Sequence, residues 1–97
     1  MTRREAMERL RSCEAALRGL GVEHLFLFGS TARDTAGPHS DVDLFVDYAR
    51  GRFGLYELMD VQAIATRALG QRADVTTRDG LHPLLRGDIE QSAEGIF

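Results

Sequence analysis

Lysine is missing altogether: all 12 basic residues of the 97-residue chain are arginine. This reads as a compositional bias, and it excludes a phosphate-binding P-loop, whose GxxxxGK[ST] pattern requires the Lys. Cysteine is nearly absent too. Cys13 stands alone, so no internal disulfide can form, and its helical apolar spacing makes it a small core residue rather than a nucleophile. No apolar run approaches the ~20 residues that span a bilayer, and the opening MTRREAMERLRSCEAAL lacks the continuous apolar segment of a signal peptide. A cytoplasmic protein with no membrane association is expected. Basic excess is lacking as well: a net charge of −3 and a pI near 5.5 argue against direct nucleic-acid binding. The length suits one domain, residues 1–97, with a core but no second substrate-enclosing domain. Any site should therefore be open on one side.

What is present is concentrated between Leu25 and Asp47, LFLFGSTARDTAGPHSDVDLFVD. Val22–Phe28 predicts a strand ended by Gly29-Ser30, with Ser30 capping a brief helix through Arg33 or Asp34. Gly37-Pro38 breaks the chain before a second strand, Ser40–Asp47. Side chains alternate there, so Asp41 and Asp43 share one face while Val42, Leu44 and Val46 line the buried one. Around this segment, Arg3–Leu20 predicts one amphipathic helix closed by Gly21, and Leu55–Leu69 another closed by Gly70. A third, short strand spans Arg72–Thr77 and contains Asp74. A last helix opens at Leu81-His82-Pro83, with Leu84, Leu85, Ile89 and Ala93 inward, weakened by Gly87 by about 1 kcal/mol relative to Ala. The fold class is α/β (α+β), a small mixed sheet of three or more strands with helices packed on one face and the other face left for the carboxylates.

Two carboxylates on one strand face, within ~7 Å of each other, repel when both ionise. An Arg, a retained proton or a divalent cation could compensate them, and hard oxygen ligands select Mg²⁺ or Mn²⁺. Gly29 permits close backbone approach, and unpaired N–H groups at the start of a helix suit a phosphate, although an ordinary strand-to-helix turn explains the same residues. Asp47 reads as a solvated strand end. His39 reads as a surface-loop residue, and His24 and His82 as residues that cap or flank elements. Tyr48 and Tyr56 occupy packing or rim positions, and the tail Ile96-Phe97 offers a contribution to a partner interface.

Gly29–Asp34 followed by Ser40–Leu44 resembles the GSxARG…SDxDL signature of the polymerase-beta-type nucleotidyltransferases, and the short chain resembles their minimal subfamily. The likeness covers essentially the whole chain in element order and implies a nucleotidyltransferase (polymerase-beta palm) core. It further implies that Gly29 and Ser30 bind nucleotide phosphates and that Asp41, Asp43 and Asp74 hold two metal ions, Mg²⁺ or alternatively Mn²⁺. Asp74 would also assist deprotonation of the acceptor, and Arg33 would support the phosphate or the local fold. Asp34 departs from the motif's usual Gly and is expected to add negative charge near the phosphates.

By the same resemblance, the chain is an antitoxin in a hetero-oligomer with a HEPN-type ribonuclease toxin, transferring AMP from ATP to a toxin tyrosine. The competing expectation is an antitoxin of weak or absent activity that blocks its partner sterically. Transfer to a small molecule is disfavoured, because no second domain is present to hold one.

Overall fold

A computed structural model describes all residues, Met1–Phe97. The chain begins with α1 (Arg3–Arg11), α2 (Glu14–Gly19) and β1 (Val22–Phe28), then α3 (Gly29–Ala32) and β2 (Val42–Tyr48). It continues through α4 (Leu55–Leu69), β3 (Ala73–Thr77), a 3-10 turn (Arg78–Gly80), α5 (Arg86–Ser92) and β4 (Glu94–Gly95). The sheet order is β3-β2-β1-β4. β1 pairs antiparallel with β2 and β4, while β2 and β3 run parallel. The mixed sheet matches the sequence expectation, with β4 as an added edge.

One face carries the core. Leu25 and Leu27 of β1, Val42, Leu44 and Val46 of β2, and Ala73 and Val75 of β3 pack against Ala6 and Leu10 of α1, Leu17 of α2, and Val61, Ala65 and Leu69 of α4. The local signals agree with this packing. Thr2 and Glu5 form a capping box at the start of α1, with Glu5 N–H donating to Thr2 Oγ1 over 3.1 Å. Gly70, at φ 71°, closes α4 in the left-handed conformation.

The first helix is not continuous. Ser12 Oγ donates to the Arg9 carbonyl and Cys13 N–H to the Leu10 carbonyl. The tightened turn ends α1, and α2 then sets off separately, so that both segments reach the sheet. Cys13 lies at this break, half-buried against the core. The tail is also held to the sheet. Ile96 N–H donates to the Leu25 carbonyl (2.8 Å) and Leu25 N–H to the Phe97 carbonyl (3.2 Å). Ile96 is buried and Arg18 lies over the Phe97 ring, so Ile96-Phe97 covers the edge of β1, with Phe97 left partly exposed.

The second face is only partly open. Phe26 and Phe45 stack with ring centroids 4.7 Å apart, Phe28 tilts against Phe45 at 5.7 Å, and Phe45 is fully buried. Arg78 roofs this aromatic floor, its guanidinium 4.9 Å from the Phe26 ring centre and 5.0 Å from that of Phe45. The guanidinium donates to both oxygens of Asp47 (2.7 and 3.0 Å) and to Glu90 of α5 (2.5 Å). Asp47 is therefore an ion-paired residue and not a solvated strand end. Its partner stands 31 positions away, beyond the reach of a local reading.

α5 is held by these polar contacts, and none of its residues is fully buried. Leu84 and Leu85, expected inward, are exposed by 86% and 54%, because the chain winds a turn on the His82 carbonyl before α5 begins. His82 does cap this turn, its Nδ1 accepting from Leu84 N–H.

Arg78→Ala is expected to destabilise the fold by about 1–3 kcal/mol, the worth of charge-assisted hydrogen bonds plus a cation–π contact. Chemical denaturation measures it. The hydrogen bond from Arg78 holds the Glu90 carboxyl below its usual range. Its share of stability is thus present above the unfolded value near 4.5 and is lost as pH falls through the lower folded value. The gap between wild type and variant should narrow in acid.

Candidate active site

The end of the sheet where β1 leaves and β2 enters gathers the residues singled out by their chemistry. In register, Phe28 lies opposite Asp43 on the antiparallel side, and Asp43 lies beside Asp74 on the parallel side. The chain turns at Gly29, whose φ is 75°. A side chain here would meet obstruction at once: a Cβ would overlap Asp43 Oδ2 and lie 3.2 Å from its Cγ. Gly29 is required both by its left-handed backbone and by its contact with Asp43. The GS turn and the second carboxylate of DxD form a single packed unit.

Ser30 is not the N-cap. That position falls to Phe28, which provides no side-chain cap, while Gly29 and Ser30 already belong to α3. The first-turn N–H groups of α3 thus receive no side-chain acceptor. The Ser30 carbonyl accepts from Thr35 N–H at 2.9 Å and from Thr35 Oγ1 at 3.3 Å, which closes the loop behind the turn.

Asp34 lies in the left-handed region at φ 58°, which explains why glycine suits this motif position and why aspartate can replace it. Its carboxylate accepts from Arg3 N–H at 2.7 Å, satisfying an orphan donor at the start of α1. The charge that Asp34 adds beside the GS turn is thus also engaged by the N-terminus of α1, brought near by tertiary packing.

β2 begins at Val42, so Asp41 sits just ahead of the strand and is exposed, whereas Asp43 is half-buried and Asp74 exposed. Burial, then the neighbouring charges of Asp74 and Asp41, push the Asp43 carboxyl above its usual range, and Arg33 acts in the opposite direction. The three carboxylates do not converge into a closed ligand cluster. None of the three concavities of the molecule includes them. Their chemistry is of the kind a divalent cation selects: three hard oxygen donors, one of them half-buried and penalised by burial and by its neighbours.

Two residues here escaped the sequence reading. Gln71 donates through its side-chain amide to the Ser40 carbonyl (2.9 Å), strapping the segment that carries Asp41. Arg72 accepts a hydrogen bond from Val42 N–H at its carbonyl (3.0 Å) and places its Nε 3.9 Å from Asp41 Oδ2. The only sequence signal was their position at the start of the predicted strand bearing Asp74, which in the structure begins one residue later, at Ala73. His39 is an exposed loop residue. Tyr48 stacks on Phe53 and donates to Asp79, while Tyr56 is exposed.

Residues 7–96 match the family profile described as nucleotidyltransferase domain. A Methanocaldococcus jannaschii protein provisionally named a protein adenylyltransferase is 34% identical over 77 residues, 79% of this chain and 82% of that protein. A solved structure of a provisionally named minimal nucleotidyltransferase is similar at a TM-score of 0.73 and 32% identity, covering 97% of this chain and 95% of the other. A toxin–antitoxin complex with AMP-PNP is similar in fold at a TM-score of 0.71 and 18% identity, over 90% of this chain and 72% of the matched one.

Proposed function

Because the chain belongs to the nucleotidyltransferase domain family, we propose that residues 1–97 act as a single minimal nucleotidyltransferase domain. It would transfer AMP from ATP to a tyrosine of a HEPN-type ribonuclease toxin and thereby silence it as a cytoplasmic antitoxin. The observation that carries the reading is the packing of the Gly29 turn directly on Asp43, with Asp74 in register beside it. A phosphate-sized approach to bare backbone thus lies next to a carboxylate set suited to cations.

In the reaction, the acceptor oxygen bonds to the α-phosphorus as the bond to the β-phosphate bridging oxygen breaks, and pyrophosphate leaves with that electron pair. Gly29 and Ser30 hold the triphosphate through backbone N–H groups and the Ser30 hydroxyl, with Arg33 supporting its charge. Asp41, Asp43 and Asp74 would hold two Mg²⁺ ions, or Mn²⁺, which would lower the acceptor's pKa and offset the charge of the leaving group. Asp74, exposed at the edge strand, would assist removal of the acceptor proton. The chain itself supplies position and electrostatics. The site's open side is where the partner would complete it in a hetero-oligomer, a reading that the toxin–antitoxin neighbour supports.

Incubating the protein with a HEPN-type ribonuclease toxin as the partner, ATP and Mg²⁺ should add the mass of AMP to a toxin tyrosine in intact and peptide mass spectra. No added mass with folded proteins counts against the proposal. The steric alternative rests on Asp34 at the motif's usual Gly position and on the open side of the site. The double replacement Asp41→Asn and Asp43→Asn separates the two: neutralisation of the toxin should be lost, whereas steric blocking predicts that it survives.

A further inference from the structure

Arg72 belongs to the segment that α4 delivers to the active site. The left-handed Gly70 turns the chain, Gln71 fastens it to the Ser40 carbonyl, and Val42 N–H donates to the carbonyl of Arg72. These bonds fix the Arg72 backbone beside the start of DxD. The side chain remains largely in solvent, 72% exposed, with Nε 3.9 Å from Asp41 Oδ2. That separation is a charge contact too long for a hydrogen bond. An exposed pair of this kind holds its partner weakly.

The site end of the sheet thus has three carboxylates, Asp41, Asp43 and Asp74, and two guanidinium groups near them, Arg33 and Arg72. If cations occupy the carboxylates, Asp41 no longer needs Arg72. A guanidinium freed beside a polyphosphate would then find phosphate oxygens matched to its fork of donors.

We propose that Arg72 is a substrate-binding residue that exchanges Asp41 for the β- and γ-phosphates of the nucleoside triphosphate, gripping the part of the substrate that leaves as pyrophosphate. The proposal rests on the nucleotidyltransferase reading of the site and adds to it a cationic group on the side of the site opposite Arg33.

Binding, rather than turnover, tests it. With Mg²⁺ present, dissociation constants for a non-hydrolysable ATP analogue and for AMP are measured on wild type, Arg72→Ala and Arg72→Lys. Arg72→Ala should weaken the analogue about 10-fold or more, as loss of a charge-assisted contact to an ion implies, and leave AMP unchanged. Arg72→Lys should fall between, keeping the charge without the fork. Equal affinity of wild type and Arg72→Ala for the analogue overturns the proposal. A parallel loss of analogue and AMP also overturns it, since that pattern means a displaced Asp41. If wild type binds neither nucleotide, the nucleotide-site reading fails and the role of Arg72 fails with it, a pattern distinct from the other two.

Discussion

Asp43→Asn should lower AMP transfer on the order of 10²–10³-fold, comparable to removing one preorganised group that stabilises transition-state charge, while making the ligand-free protein more stable. The two effects share one cause. Asp43 is half-buried beside Asp74 and Asp41, and burial and these neighbours raise its pKa. A raised carboxylate pKa means that folding disfavours the ionised form. The penalty is full above the folded pKa and disappears as pH falls below the unfolded value near 3.8. At neutral pH the neutral amide removes it, so Tm in chelator should rise, and the advantage should fade in acid. Mg²⁺ with a non-hydrolysable ATP analogue should reverse the order, because wild type gains RT ln(1 + [L]/Kd) and the variant loses much of that gain. Thermal denaturation with and without ligand, alongside a transfer assay, checks both halves. An Asp43→Asn protein less stable than wild type in chelator would contradict this account of the site's electrostatics.

Gly29→Ala is expected to be the most damaging single-methyl change in the chain. The left-handed conformation at φ 75° costs an L-residue about 1–2 kcal/mol, and the added Cβ overlaps Asp43 Oδ2. Either the turn moves or Asp43 does, and each outcome separates the Gly29-Ser30 turn from the carboxylate. Transfer should fall on the order of 10²-fold or more, since misplacement by about 1 Å suffices for that. The proposed cause is checked by a double-mutant cycle. In an Asp43→Ala background, the stability cost of Gly29→Ala should shrink toward the backbone contribution alone, because the obstructing carboxylate is gone. Additive costs in urea denaturation would show that Gly29 and Asp43 are not coupled.

Much of this site was legible because its chemistry is local in sequence. The strand–Gly-Ser–helix order, the period-two placement of Asp41 and Asp43, and the helices closed by Gly21 and Gly70 each follow from backbone sterics or side-chain alternation within a few residues. Asp74 was reachable as the only carboxylate on a predicted third strand, and the parallel register places it beside Asp43. The mixed sheet with helices on the Val42, Leu44 and Val46 face followed from the same alternation.

Other features depended on partners far along the chain, where sequence patterns carry no signal. The partner of Asp34, the start of α1, came only with packing. Asp47 looked solvated until Arg78 arrived from the far end of β3, and with Arg78 the supposedly open face became an aromatic floor with an ionic roof. The place of Ile96-Phe97 at the edge of β1 likewise came only with pairing. In each case the sequence determined what the residue could do, by conformational freedom, charge or apolar surface. Which partner satisfied it was decided only when the tertiary structure set the competing costs of an unpaired donor, a buried charge and an exposed ring against one another.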